Sequence, residues 1–351
     1  MSLAAFTVIR HTLMLTMGIV AVLSAQPDRD ASSAYAETPL PIKIGYQSTS
    51  SDDWLFFAAR DLKLFEKVGL VPEYIPFVAG PPMMAAAKSG TIDVAIIKVL
   101  PFLSGLSQGV DWVMIGIGSE GAYSEGLVVG RDSGIDTPGD LKGKRIGYFA
   151  GSSAHYGLIM TLRQHGISRH QVKLFDMPPE HQITAVMKGE LDAAMVWEPW
   201  IQRMVHEANA RLIAIEGDLG IYTNVATISV QREWLEKNRE TAVRFLQALI
   251  LAYDALKRNH TIAVRAVVNE TGTKKEWVEQ IYRDAPPPNI HLWAEPRYIY
   301  SLVKGAVFHR RLGYVARFMV DEKVFPKEVD TDDVLDASVV TEALKTVKRE
   351  P

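Results

Sequence analysis

Residues 90–99 read GTIDVAIIKV and residues 189–197 read GELDAAMVW, two forms of one phrase, Gly-x-x-Asp-x-Ala. In each, a glycine closes a helical stretch and a nearly continuous apolar run begins a few residues later. An apolar run without alternation marks a strand covered on both faces, the pattern of a parallel sheet clad with helices. The phrase therefore predicts two cycles of one α/β layout.

Working outward from the first phrase, Ile42–Tyr46 reads as a strand and Gln47–Asp53 as its loop. Trp54–Val68 reads as one helix, with Leu55, Phe56, Ala59, Leu62 and Phe65 at helical spacing. Val71–Phe77 and Trp112–Ile117 are expected strands; Pro81–Ser89 and Leu100–Gly109 are expected helices. Around the second phrase, Leu127–Val129, Arg145–Phe149, Val172–Phe175 and Leu212–Ile215 are strands. The helices there are Ser152–His165, Pro179–Lys188 and Glu198–Asn209. Beyond the strand Ala226–Val230 the chain turns mostly helical, over Glu233–Lys237, Thr241–Arg258, Ile262–Val268 and Lys275–Ala285. Pro286-Pro287-Pro288 breaks this run, and Arg297–Arg311 and Gly313–Met319 resume it. Crossovers of this kind predict mostly parallel sheets with helices on their faces. The charged tail Lys345–Pro351 is expected to fray.

The 351 residues are 48% hydrophobic and 23% charged, with a formal net charge of −3 and no cysteine. At about 100–200 residues per domain this length suggests two or three globular units. The missing cysteine excludes disulfides, thiolate metal sites, a cysteine nucleophile and a lipid anchor on a processed cysteine. The mixed, slightly acidic charge argues against a nucleic-acid partner. At the N-terminus, Arg10 and His11 precede the apolar stretch Thr12–Leu23, too short to span a membrane, and Ala34-Tyr35-Ala36 fits a signal-peptidase site. Met1–Ala36 is therefore expected to be an export signal cut after Ala36, or after Ala25. The released protein would be periplasmic, soluble and without a lipid anchor.

Ligands of open α/β sheets bind beyond the carboxyl ends of strands, where loops enter helices. Three such junctions carry chemistry: Gln47–Trp54, Ala150–His155 and Trp197–Trp200; Lys98, ending its strand, is a fourth candidate. Ser152 and Ser153 after Gly151 read either as donors to an anion at a helix N-terminus or as an ordinary N-cap. Trp197-Glu198-Pro199-Trp200 reads either as a helix start, with Pro199 in its first turn, or as an indole wall beside a carboxylate accepting from the ligand. Lys98 is either an anion partner in the cleft or a snorkelling edge residue. Catalytic patterns are weak. The nine histidines show neither an HExxH motif nor paired metal-ligand spacing, no GxSxG elbow is present, and Ser153 with His155 is poor evidence for hydrolysis. No catalytic residue, metal or cofactor is expected.

Several phrases together resemble the solute-binding proteins of ABC importers for nitrate, sulfonates and taurine, within the larger group similar to thiamine-pyrimidine synthase. They are Ile42–Gln47 (IKIGYQ), Leu64–Gly69 (LFEKVG), Gly90–Ala95 (GTIDVA), Asp132–Lys144 (DSGIDTPGDLKGK), Arg145–Gly151 (RIGYFAG), Ser152–His155 and Gly189–Pro199 (GELDAAMVWEP). The resemblance runs from Pro41 to Met319. It implies an α/β fold of two Rossmann-like lobes joined by two hinge strands, the type II periplasmic binding arrangement, with C-terminal helices. Leu127–Val129 would be the outgoing hinge strand and Ala226–Val230 the returning one. On this reading residues 37–128 begin the first lobe, 129–227 form the second, and 228–351 return to the first. The implied binding positions are Gln47 and Trp54 in one lobe and Ser152, Ser153, His155, Trp197 and Glu198 in the other. Lys98 stands where the resemblance leads one to expect a small residue.

Donors at Ser152 and Ser153, a cation at Lys98, an acceptor at Glu198 and indole walls suit a small molecule that is anionic at one end and amine-bearing or polar at the other. An aliphatic sulfonate or taurine fits, trapped by lobe closure, with an ABC permease in the inner membrane as partner and a monomer as the expected state. Nitrate or a carboxylate is an alternative. So is a pyrimidine, a thiamine precursor or another heterocycle, for which Trp54 and Trp197 would dominate. A cofactor-biosynthesis enzyme of the same fold fits poorly with a chain lacking cysteine.

Overall fold

The computed structural model describes residues 38–221 and 225–348. The expected export segment, with its candidate cuts after Ala36 and Ala25, lies outside the described residues. The chain opens with β1 (Leu40–Gln47), α1 (Trp54–Asp61), α2 (Leu64–Lys67), β2 (Leu70–Phe77), α3 (Gly80–Lys88), β3 (Val94–Lys98), α4 (Val99–Ser107) and β4 (Trp112–Glu120). A second run follows: β5 (Glu125–Val129), β6 (Arg145–Tyr148), α5 (Ser153–Gln164), β7 (Lys173–Asp176), α6 (Pro179–Met187), β8 (Ala193–Trp197), α7 (Trp200–Glu207) and β9 (Arg211–Ile215). The return comprises β10 (Val225–Gln231), α8 (Arg232–Lys237), α9 (Arg239–Arg258), α10 (Thr261–Thr271), α11 (Lys275–Asp284), α12 (Val307–Asp321) and α13 (Ala337–Thr346).

The strands form two five-stranded sheets, in the orders β2-β1-β3-β10-β4 and β7-β6-β8-β5-β9. The repeated phrase has the same job in both. Gly90 and Gly189 end α3 and α6 in the left-handed region, at φ 72° and 68°, where a side chain would be strained. The aspartate then splices two parallel strands. Asp93 Oδ2 accepts from the Lys43 backbone N–H at 2.8 Å, and Asp192 Oδ2 accepts from that of Arg145 at 2.7 Å. Each aspartate returns its own N–H to the carbonyl of the same residue, at 2.9 Å in both cases. The apolar strands that follow, β3 and β8, are buried almost throughout, as expected for strands covered on both faces.

Each sheet departs from the expected parallel pattern at one strand. β10 runs antiparallel to β3 and β4, and β5 runs antiparallel to β8 and β9. The cause is where the chain crosses. It leaves the first sheet at the carboxyl end of β4, crosses over Gly121–Ser124, and enters the second beside the carboxyl end of β8, with Glu125 opposite Trp197. It comes back after the end of β9 and enters the first sheet beside the carboxyl end of β3, with Ala226 opposite Lys98. The segments expected to cross, Leu127–Val129 and Ala226–Val230, are the strands that these crossings lead into. A strand entered from the carboxyl edge must run backwards, so both crossings place the carboxyl edges of the two sheets toward each other.

Other differences are local. The single helix expected over Trp54–Val68 is two, because Lys63 takes a left-handed conformation at φ 53°; Phe65 is fully buried beyond the break, so the apolar period survives it. The helix expected to start at Glu198 starts at Trp200, after a cis Glu198–Pro199 peptide bond. Pro199 thus occupies the cap position rather than the first turn. Residues 297–306 are turns, and α12 runs through Gly313 without stopping, since one interior glycine costs a helix only about 1 kcal/mol. α13, unanticipated, packs on α9 and β4 and includes Lys345 of the tail expected to fray.

Two cores follow the two sheets. The first gathers α1, α4 and α9 around residues such as Phe65 and Phe245, whose rings stack at 5.2 Å. The second is smaller, under Leu127, Ile146, Leu158 and Met195. Tyr156 and Ile159 of α5 belong to the first core although their helix covers the second sheet, and Tyr156 meets the Phe318 ring of α12 edge-on at 5.6 Å.

Candidate functional site

Where the carboxyl edges meet, α3, α4 and α5 all begin. Gly80 of α3, Pro101 of α4 and the Ser152-Ser153 start of α5 line one cavity with Ala79, Gln47, Lys98, Glu125 and Trp197. Its volume is about 10 Å³, room for about one water. A helix start leaves its first backbone N–H groups without intrahelical acceptors and carries partial positive charge; Pro81 and Pro82 remove such donors from α3 and Pro101 removes one from α4, so of the three converging starts only α5 keeps every N–H of its first turn, while all three add their dipoles.

Five of the expected residues, Gln47, Lys98, Ser152, Ser153 and Trp197, therefore come together. Their bonds differ from the simplest expectation. The Ser152 hydroxyl does not cap α5 but donates to the Phe149 carbonyl at 2.7 Å, and that of Ser153 donates to the Glu125 carboxylate. Lys98 donates to Asp52 at 2.7 Å and to Ser119 at 3.1 Å. Burial works against the Lys98 ammonium, but Asp52 and Asp53 outweigh it and hold its pKa above the usual value. Lys98 is thus a paired cation, not a free partner for an anion. Trp197 is 6% exposed, and its indole N–H has no acceptor among the described residues.

The other three do not line the cavity. Trp54 is 0% exposed, gives its indole N–H to the Ala285 carbonyl at 2.8 Å, and meets Tyr282 edge-on at 4.9 Å. It is a core pillar between α1 and the end of α11. His155 points back under its own loop: Nδ1 accepts from the Gly151 N–H at 3.3 Å and the ring lies 4.8 Å from Tyr148. Burial, with the Arg169 charge, pulls its pKa down to about 4, so it is neutral at physiological pH. Glu198 caps α7, accepting from the backbone and side-chain N–H groups of Gln202 at 3.3 and 3.1 Å. Burial pushes its pKa up to about 7.

Glu125 was missed by the sequence reading. It opens β5 and is 1% exposed; behind it lies Glu216, 0% exposed, whose carboxyl group meets that of Glu125 and whose N–H donates to the Glu125 carbonyl at 3.0 Å. Burial, then the Glu125 charge, drives the Glu216 pKa well above the usual range. The pair fits beneath α5 only because residue 157 is glycine: a Cβ there would sit 1.7 Å from Glu216 Oε1. On the first-lobe side, Asp52 accepts from Ser50 at 2.6 Å and Ser124 at 3.0 Å besides Lys98. Burial opposes its charge, yet Lys98 and these bonds hold its pKa below normal, whereas burial and then Asp52 push Asp53 up to about 7. Among the described residues, no group of three His, Cys, Asp or Glu is placed to hold a metal ion, and no helix is long and apolar enough to cross a membrane.

Residues 36–269 match the family described as NMT1-like, and the chain belongs to that family. A Bacillus subtilis protein named for binding aliphatic sulfonates is 25% identical over 281 residues, 80% of this chain and 81% of its own. The taurine-binding periplasmic protein of Escherichia coli is 26% identical over 62% of this chain and 67% of its own. Among solved structures, the periplasmic aliphatic sulphonate binding protein of Escherichia coli shares the fold with a TM-score of 0.72, at 23% identity over 85% of this chain and 92% of that one.

Proposed function

We propose that this member of the NMT1-like family is the extracytoplasmic substrate-binding subunit of an ABC importer, capturing a small organic anion such as an aliphatic sulfonate or taurine. The observation that carries the reading is the meeting of three helix starts, α3, α4 and α5, on one cavity at the facing carboxyl edges of two sheets. Backbone N–H groups and helix dipoles attract an anion without adding a mobile counter-charge. The names of the relatives point the same way.

Capture requires movement. A sulfonate cannot enter about 10 Å³, so the second sheet with its helices, from β5 to β9, must swing away from the first about the two crossings and settle around the ligand. On this account the protein works as a periplasmic monomer that delivers its cargo to an inner-membrane permease. A heterocycle that needs two indole walls is disfavoured, because Trp54 is committed to the core. Catalysis is not part of the proposal; the relatives are named as binding proteins.

A thermal-shift panel of alkanesulfonates, taurine, nitrate, sulfate esters, carboxylates and pyrimidines tests this. A ligand at about a hundred times its Kd should raise Tm by roughly 5 °C. The account expects that shift from sulfonates; a shift confined to pyrimidines would replace it.

A further inference from the structure

We infer that two clasps, on opposite flanks of the seam between the two sheets and outside the cavity, set how long the lobes stay shut around a ligand. His206 and Trp277 form one; Arg163, Phe318 and Glu322 form the other. The inference rests on the reading that a ligand is held by closure, and it assigns positioning residues that do not touch that ligand.

In the second sheet β6 leads through α5 to β7, and β7 leads through α6 back past β6 to β8. Right-handed crossovers stepping in opposite directions put α5 and α6 on opposite faces. α7 packs on α6, so α5 and α7 cover opposite faces, and each reaches across to helices of the first lobe. Near the end of α7 the His206 ring stacks on that of Trp277 in α11, with centroids 4.5 Å and planes 11° apart. Lys274 Nζ lies 4.6 Å from the same indole. On the other face, the Arg163 guanidinium of α5 sits 5.0 Å from the Phe318 ring of α12 and 3.6 Å from the Glu322 carboxylate. Arg169 Nη1 donates to the Glu322 carbonyl at 3.1 Å, where α12 ends and its dipole favours a cation.

His206 and Arg163 are exposed, and a groove borders each clasp. One, of about 520 Å³, lies between α7 and the stretch from Glu270 to Trp277; the other, of about 960 Å³, lies between α5 and residues 321–323. The flanks of the seam therefore meet at a few points rather than along a packed interface. These contacts exist only while the lobes are together, and a ligand leaves only after the lobes part. Whatever the clasps add to the closed form slows the release of every ligand by the same factor.

Stopped-flow tryptophan fluorescence on the full chain, with taurine and with ethanesulfonate, gives the dissociation rates that test this. His206→Ala should speed release of both ligands by about 2- to 10-fold, the range of one aromatic pair. His206→Phe keeps a ring in place and should restore the parent rate. Trp277→Leu added to His206→Ala should change little more, since both remove one contact. Arg163→Met should speed release by about 2- to 5-fold, the range of an exposed cation over a ring. Both single changes fall on exposed side chains, where folding is tolerant. Unchanged rates in both overturn the inference. So does a factor that differs between the two ligands, because it would put these residues at the ligand. Failure of both sulfonates to bind overturns the sulfonate reading alone; the same rates are then read with the panel ligand that does raise Tm.

Discussion

Glu198 is a buried carboxyl group that caps a helix, and its pKa of about 7 against an ordinary 4.5 makes stability depend on pH. Between those values the folded state holds more protons than the unfolded one, so the contribution is fully present below about 4.5 and is lost as pH rises through 7. Glu198→Gln removes the titration, so the substituted chain should gain on the parent by about 2–3 kcal/mol between pH 5 and pH 7.5, read from denaturant midpoints. A constant difference across that range would mean that Glu198 is not desolvated as described. His155, pulled down to about 4, acts in the opposite sense and is common to both chains. At this scale the sequence was partly legible. Residues that end a strand or start a helix at the carboxyl edge, such as Lys98, Ser152 and Trp197, do line the cavity. Trp54, His155 and Glu198 lie in the same junctions, but junction membership leaves side-chain direction open. Glu125 escaped notice because it begins a strand, and reaches the carboxyl edge only because that strand runs backwards.

Element by element, the repeated Gly-x-x-Asp-x-Ala phrase was the most readable feature, since glycine, aspartate and a two-faced strand each answer a local demand. The antiparallel strands β5 and β10 were not readable, because direction is set by where the chain crosses and not by the composition of the strand. Nor does a hydrophobic period report one left-handed residue such as Lys63. α5 offers the sharpest test of element packing. Its Gly157 passes so close to Glu216 that an added Cβ would lie 1.7 Å from a carboxylate oxygen. Gly157→Ala should therefore destabilise the protein by about 1–3 kcal/mol despite the better helix propensity of alanine, and shortening the partner with Glu216→Ala should restore part of the loss. A Gly157→Ala chain that melts at or above the parent temperature would remove that contact from the account.

Across the molecule, two sheets present their carboxyl edges to one another, and the chain passes between them twice, over Gly121–Ser124 and between β9 and β10. The two-lobe α/β class followed from the doubled phrase and the apolar strands. The tightness of the cavity did not, because a volume of about 10 Å³ depends on how the lobes sit against each other. The α5 to α12 contact through Tyr156 and Phe318 is a further tie across them that opening must loosen. The natural absence of cysteine makes the motion easy to observe. Lys188→Cys, exposed at the end of α6, and Lys257→Cys, exposed on α9, give one labelling site in each lobe. The most direct test of capture between moving lobes is the distance distribution between those two labels, measured with and without saturating alkanesulfonate or taurine. The account predicts a broad or longer distribution that collapses to a single, shorter distance on binding. A distribution unmoved at saturation would contradict it.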